Sequence, residues 1–359
     1  MLKVAIVLED FSIGGAQRVV SELVKNFDQK QIQLLVLCLK KRANTDLADE
    51  MEKIADIRYL GICGKNLIAN YMRVAKELKK FKPDVIHAHL VGQLYSVPYG
   101  MLHNKPVIIT AHTKPEKAFI KKIESLIKYG VRKKKIWVVS VSEENQTLVK
   151  KYFPESEDQC ICINNGIDID SFYRKEHPYF TYINVARQDE NKNQVAILRC
   201  FKRIYEQNKA VRLILVGDGP CHKALAVESD RLGLAAVATL PGAVGNVKDY
   251  YAISDVYVQA SHREAMPMSV LEALATGLPI VSTNVGGLHD VVKGNGILVD
   301  DADEEALYRA MKEMHDSPEI VIGEMREESL LTSENYSSKK MAARYMDLYR
   351  RVVTEKYAS

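Results

Sequence analysis

No apolar run in this chain approaches the roughly 18 residues of a membrane-spanning helix. The longest near the start is residues 4–8, too short for the core of a secretory leader, so neither a leader nor a span is expected. Cysteine is sparse: Cys38, Cys63, Cys160, Cys162, Cys200 and Cys221 include no CxxC pair and no Cys/His cluster. That counts against a disulfide framework or a structural zinc site and makes reduced, mostly buried thiols the expectation. No G-x-G-x-x-G follows the first apolar run, which counts against a dinucleotide-dependent dehydrogenase. Low-complexity tracts are absent and no metal-ligand set is visible, so a disordered chain is excluded and no metal is expected.

What is present describes a globular protein of 359 residues, 47% apolar and 27% charged, a length that suggests two domains. The net charge of +4 hides an asymmetry: residues 1–175 carry +9 and residues 176–359 carry −5. Much of the excess lies in 114–135, where Lys114, Lys117, Lys121, Lys122, Lys128, Arg132, Lys133, Lys134 and Lys135 face only Glu116 and Glu124. Such a cluster suits an anionic surface. Phe119, Ile120, Ile123, Leu126, Ile127 and Val131 recur among these cations at helical spacing, as an interfacial amphipathic helix requires. The same spacing also suits a helix packed on a sheet with solvated lysines, or a buried stripe with a basic rim.

Short apolar runs alternate with helix-length amphipathic segments, the pattern of parallel sheets with crossover helices. One series predicts strands over 3–9, 32–39, 84–89, 107–111, 136–141 and 160–163; a second predicts them over 179–186, 212–216, 236–240, 255–259, 279–282 and 296–299. Helices are predicted over 16–27, 67–81, 193–205 and 269–276, with a last one over about 337–356 that no strand follows. A polar stretch with Asn-Gly and a proline, 164–178, is the expected hinge. The fold class is therefore α/β, with two Rossmann-like, doubly wound parallel-sheet domains facing each other across a cleft, over 1–170 and 178–336. Ligands of such sheets bind at the carboxyl ends of the strands.

Candidate site residues gather at those ends. Gly14 and Gly15 open the first helix and let backbone N–H groups approach a phosphate or sugar, although a tight turn alone would also use them. The segment 261–273 follows a predicted strand and opens a helix, with Pro267 suited to the first helical position and Met268 and Ser269 supplying free N–H groups toward a diphosphate. Glu264 before that helix and Glu272 within it can bracket one ligand by accepting hydrogen bonds from hydroxyls; a solvated helix face is the plainer alternative. Arg187 and Lys192 share a strand-to-helix loop and can hold two phosphate groups, though either could be surface charge. Gly217 and Gly219, and then Pro241-Gly242, end successive strands in turns that keep this edge open.

These residues resemble the retaining glycosyltransferases of the GT-B fold, specifically glycosyltransferase family four, of the bacterial polysaccharide-biosynthesis type. The resemblance runs through 14–18, 110–112, 141–143, 165–168, Ala186-Arg187 with Lys192, 215–220, the Glu264 to Glu272 motif, and 275–279 leading to Gly286-Gly287. It implies that Glu264 contacts the donor sugar and Glu272 the ribose, that Arg187 and Lys192 hold the diphosphate, and that Gly15 belongs to a ligand-facing glycine loop. It also implies that His112 lies beside the transferred sugar and that the backbone at Val244 meets the nucleobase. A lone histidine at a strand end can equally be a satisfied polar residue. The family's usual glycine and aromatic after the first motif glutamate are here Ala265 and Met266, which implies a reshaped sugar pocket.

The resemblance further implies metal-independent transfer of a hexose or N-acetylhexosamine, with retention, from a nucleotide-diphosphate sugar, UDP-linked by preference. It implies no cofactor, with Arg187, Lys192 and the helix start at Met268 stabilising the leaving diphosphate. A same-face displacement suits a site with no convincing nucleophile; Glu264 as covalent nucleophile is the minor alternative. The expected partners are the donor, a lipid-linked glycan acceptor and an anionic membrane touched through the 114–135 cluster, with no nucleic acid. The expected products are capsule, exopolysaccharide or cell-wall polymers, made by a cytoplasmic enzyme peripheral to the inner face of the cell membrane, with its last helix (about 337–359) packed back on the first domain. A nucleotide-sugar epimerase, a glycogen-phosphorylase-like enzyme and a non-catalytic partner in a glycan assembly complex remain alternatives.

Overall fold

A computed structural model describes residues 1–12, 14–62, 66–301 and 303–358, so Ile13 of the glycine turn and Cys63 lie outside the described residues. The chain divides into two compact units, Met1–Gly166 with Ser338–Ser359, and Ile167–Ser337. The first holds a seven-stranded sheet of β1 (Leu2–Leu8), β2 (Ile32–Cys38), β3 (Asp56–Tyr59), β4 (Val85–His89), β5 (Val107–Ala111), β6 (Ile136–Ser140) and β7 (Cys160–Cys162). Its order is β3-β2-β1-β4-β5-β6-β7 and every pairing is parallel. The second holds β8 (Phe180–Val185), β9 (Val211–Val216), β10 (Ala238–Gly242), β11 (Val256–Gln259), β12 (Ile280–Thr283) and β13 (Gly296–Val299). These run β10-β9-β8-β11-β12-β13, again all parallel.

Both sheets are doubly wound. The strand order reverses between β1 and β4 in one and between β8 and β11 in the other, and it is beside such a reversal that crossover loops diverge and leave a crevice. Strands β4, β5 and β6 are buried at every residue, which is why they read as largely apolar runs; the polar His87, His89, Thr110 and Ser140 within them each make at least one hydrogen bond. β3 escaped the sequence reading for the opposite reason. It is an edge strand of sequence Asp-Ile-Arg-Tyr, none of it buried, and its Arg58 pairs with Asp56 and Glu77. Pro241 and Gly242, expected in a turn, are the last two residues of β10, where the register shifts after Thr239.

In the first unit one sheet face packs Val107, Ile109, Ile136 and Val138 against Val74, Leu78, Ile127, Val131 and Val149 of the covering helices. The other face carries His87, Thr110 and Trp137, and the C-terminal helix Ser338–Ala358 brings the fully buried Tyr345 and Tyr349 to it. In the second unit Tyr182, Phe201, Leu215, Val258 and Met311 share one core, and the Tyr182 hydroxyl donates to the Met311 carbonyl at 2.8 Å. Cys38, Cys160, Cys162, Cys200 and Cys221 are free thiols.

The basic segment differs from a lipid-facing amphipathic helix. It is broken into Pro115–Ala118, a 3-10 turn at Lys121–Ile123 and a helix at Glu124–Arg132. Phe119, Ile127 and Val131 are buried in the sheet's core, with Ile123 and Leu126 packed against it. Most of the apolar stripe is spent on the sheet, and the charged rim is left outside together with the exposed Tyr129. Among the described residues no helix is long and apolar enough to cross a membrane.

Candidate active site

In the second unit the loops after β8 and β11, the two strands at the reversal, are joined. The His262 N–H donates to the Asn191 carbonyl at 2.8 Å, and Asn191 Nδ2 donates to the Arg263 carbonyl at 2.9 Å. This brings Lys192 and Glu264, 72 residues apart in sequence, into an ion pair whose side chains are only 19% and 10% exposed. Asp189 caps the Glu190–Lys192 turn by accepting from the Lys192 N–H at 3.2 Å. Gln188 ties the same loop to β9, donating to the Leu215 carbonyl at 3.2 Å while its N–H donates to the Asp218 carbonyl at 3.0 Å. Arg187 stays out, 72% exposed with Asp189 at 3.8 Å.

Two glycines are required by this packing. Gly217 has φ +132°, and a Cβ there would lie 1.9 Å from the Ala186 carbonyl oxygen, so the turn after β9 can press against the start of the Arg187 loop. Gly286 has φ +65°, and a Cβ would lie 2.6 Å from the Glu264 carbonyl oxygen. With the Gly287 N–H donating to the Ala265 carbonyl at 2.8 Å, the Gly286-Gly287 turn forms the floor under Glu264.

The next helix is Met268–Ala275, and Pro267 precedes it in an extended conformation (φ −72°, ψ 130°) rather than occupying its first position. Its ring suits either place, because neither needs the N–H it lacks. The Met268 and Ser269 N–H groups precede the first bond of the helix, which the Val270 N–H makes to the Pro267 carbonyl at 3.2 Å, and the positive end of the helix dipole lies with them. Met266 and Met268 are buried and Ser269 is half-buried. Glu272 is buried within the helix, 4% exposed, and accepts from the Tyr251 hydroxyl at 3.1 Å, a proton shared with the Ser269 carbonyl at 2.9 Å.

Tyr257 is buried within electrostatic reach of both carboxylates. Its hydroxyl donates to Gln259 Oε1 at 3.1 Å, so Ser269 Oγ donates to it at 2.8 Å. Burial first, then Glu264 and Glu272, push this phenol well above its ordinary range. Gln259 Nε2, Ser261 Oγ and Asn191 Oδ1 are buried beside the same loops without a hydrogen-bond partner in the protein. Val244 lies half-buried in the loop after β10.

In the first unit Gly14 caps the helix Gly15–Asn26 in an extended conformation (φ 178°), with no capping hydrogen bond from a side chain. His112 follows β5 and keeps part of its surface exposed. Its Nε2 lies 2.8 Å from Nδ1 of His89, the last residue of β4. His87, two residues earlier and hence on the same face, bonds Tyr349 through Nδ1 and Thr110 through Nε2, both at 2.7 Å, and Tyr345 reaches Thr110 at 3.0 Å. Burial pushes His87 down to about 3, His112 down to about 4 and His89 well below its ordinary value, so all three rings are neutral near pH 7. Among the described residues no group of three His, Cys, Asp or Glu side chains could hold a metal ion.

The structure thus brings Lys192, Glu264, Met266, Met268, Ser269 and Glu272 together at one strand reversal, with Arg187 and Gly217 on the adjoining loops. Asn191, Tyr251 and Tyr257 were missed, because an Asn in a loop and tyrosines in apolar runs carry no spacing signal. His87 and His89 were also missed, although the His-x-His alternation inside a predicted strand marks one sheet face.

Two all-parallel, doubly wound units with ligand-type loops at the strand reversals define a protein of the GT-B fold. The Anabaena protein HepE, solved in complex with UDP-glucose, superposes with a TM-score of 0.83 over 98% of this chain and 100% of its own, at 17% identity. The family description "Glycosyltransferase Family 4" matches residues 13–171 and "Glycosyl transferases group 1" matches 168–328. The chain belongs to glycosyltransferase family four. An uncharacterized glycosyltransferase of Methanocaldococcus jannaschii is 27% identical over 59% of this chain. The Escherichia coli UDP-Gal:alpha-D-GlcNAc-diphosphoundecaprenol alpha-1,3-galactosyltransferase is 23% identical over 85% of both chains. The chain spans 58% of the archaeal relative's length, and 55% of a sulfoquinovosyl transferase from Arabidopsis thaliana that is 25% identical over 72% of this chain.

Proposed function

We propose that this chain is a retaining, metal-independent glycosyltransferase that moves a hexose or N-acetylhexosamine from a UDP-sugar to a lipid-linked glycan acceptor at a membrane surface. The observation that carries the reading is the sheltered Lys192–Glu264 pair at the β8/β11 reversal, beside the first turn of Met268–Ala275 and the buried Glu272. A cation, a set of helix N–H groups and two carboxylates at one reversal match a ligand that is anionic in the middle and hydroxylated at both ends. A diphosphate would draw the Lys192 ammonium off Glu264, freeing that carboxylate to accept from sugar hydroxyls. Exposed Arg187 is then the second cation for the leaving group. Glu272, held by Tyr251, is the acceptor for ribose. Departure of the diphosphate leaves an oxygen that can take the acceptor hydroxyl's proton on the same face, which retains the anomeric configuration. The test is turnover of a panel of UDP-sugars with mass analysis of the product. Arg187→Ala should lower turnover about 100-fold. Complete loss of wild-type turnover in a chelator would overturn the metal-independent reading.

Support for a lipid-linked acceptor comes from the relative that uses a diphosphoundecaprenol acceptor and from the basic rim of the first unit. Lys105, Arg132, Lys133, Lys134, Lys135 and Trp137 line a concavity of about 320 Å³ at the amino ends of β5 and β6. Attachment to anionic lipid would be electrostatic, each engaged cation contributing on the order of 1 kcal/mol. Vesicles containing phosphatidylglycerol should sediment the protein in a salt-sensitive way and phosphatidylcholine vesicles should not. Charge reversal at Lys121, Lys122, Lys133 and Lys134 should abolish the binding; undiminished binding by that variant would remove the rim from the account.

A further inference from the structure

We propose that His89 is a positioning residue that holds His112 as a neutral donor, with the His112 proton on Nδ1. The inference rests on the transferase reading for what His112 serves, and on the first unit's own geometry for the rest. His89 Nδ1 and His112 Nε2 are 2.8 Å apart, so one nitrogen carries the proton and the other accepts it. The other nitrogen of His89, Nε2, is buried and has no partner.

Only two neutral arrangements are available. If His112 Nε2–H donates, His89 must carry its own proton on Nε2, and a buried N–H is left with no acceptor. If His89 Nδ1–H donates, what is buried without a partner is a bare lone pair, and His112 must carry its proton on Nδ1. Among buried backbone groups an orphaned N–H is rarer than an under-satisfied carbonyl, a preference we carry over to the ring nitrogens, and a ring's tautomer is set by the bond its other nitrogen makes. The second arrangement is therefore the stable one. His112 then offers an N–H to a ligand that, on the proposed reading, presents only oxygens.

The His89 ring is itself braced. It lies against His87, centroids 4.1 Å apart with the ring planes tilted by 43°, and His87 is held at both nitrogens by Tyr349 and Thr110. Thr110 is also bonded to Tyr345, so two tyrosines of the C-terminal helix fix the rings that orient His112.

The test has two arms on the full chain. In protein labelled with 15N-histidine, long-range correlation spectra should give His112 a protonated Nδ1 and a bare Nε2. The reverse pattern would overturn the assignment, and this arm needs no substrate. In the second arm His89→Leu should cut the turnover number about 100-fold, the scale of a slightly misplaced reacting partner, with the Kd for UDP unchanged. His89→Asn keeps an N–H near the Nδ1 position and should recover most of the loss. The pair His89→Leu/His112→Ala should be no slower than His112→Ala alone; additive losses, or no rescue by a folded Asn variant, would count His89 as mere packing. If the spectra show the expected tautomer but no sugar nucleotide is turned over, the transferase reading fails and the His89 geometry stands.

Discussion

Replacing Glu264 by Gln should tighten the binding of free UDP while slowing sugar transfer. Glu264 occupies the Lys192 ammonium, and side chains 10% and 19% exposed lie between two regimes. Surface pairs contribute below about 1 kcal/mol and disrupting a buried one costs about 3–5 kcal/mol. A value of about 1–2 kcal/mol suits this partly sheltered pair, and a diphosphate that recruits Lys192 has to supply it. Gln keeps the size and the hydrogen bond but removes the charge, which returns that energy to binding. Free UDP should then bind about 5- to 30-fold more tightly to Glu264→Gln. Transfer from UDP-sugar should fall about 10-fold or more, because a sugar hydroxyl loses a charged acceptor. Calorimetry with UDP and turnover with the same donor read the two effects separately. Lys192→Met, which removes the cation, should weaken UDP instead. If Glu264→Gln binds UDP no more tightly than the parent protein, the carboxylate does not compete with the diphosphate and the reasoning fails.

Glu272→Ala should weaken UDP about 10-fold by removing the ribose acceptor, and Tyr251→Phe should weaken it less; unchanged calorimetric affinity in Glu272→Ala would exclude the ribose assignment. Gly286→Ala should impair transfer more than it lowers thermal stability, because its Cβ would press on the Glu264 carbonyl; wild-type turnover in this variant would show that the turn is not the floor of the site. Acid should destabilise the first unit through its histidines, whose folded values of about 3 for His87 and about 4 for His112 lie below the ordinary 6.5. A folded state that binds fewer protons than the unfolded one keeps this stability above about pH 6.5 and loses it as pH falls toward 4, by up to about 1.4 kcal/mol per pH unit for each such ring. Urea titrations between pH 8 and 4 measure that slope, and replacing His87 and His89 by Gln should flatten it; an unchanged slope would assign the acid sensitivity elsewhere.

The amino-acid sequence alone determined the alternation of buried strands and crossover helices, because strands covered on both faces must be continuous apolar runs. β5, β13 and the helix Leu67–Phe81 were legible to the residue and the other predicted strands and helices to within one or two, while helices such as Gln93–Leu102, Glu304–Asp316 and Glu319–Ser333 were given no range. It also carried Lys192, Glu264 and Glu272, since charges beside strand ends and helix starts stand out against such runs. Three matters were left to tertiary structure. β3 needed its neighbour β2, because an exposed edge strand has no apolar signature. The stripe at 114–135 could face lipid or sheet with the same periodicity, and packing of Ile127 and Val131 into the core decided for the sheet. The pairing of Lys192 with Glu264, and of His89 with His112, depends on which strands lie side by side. Strand order is set by how separate crossovers pack together, and no local pattern in the chain encodes it.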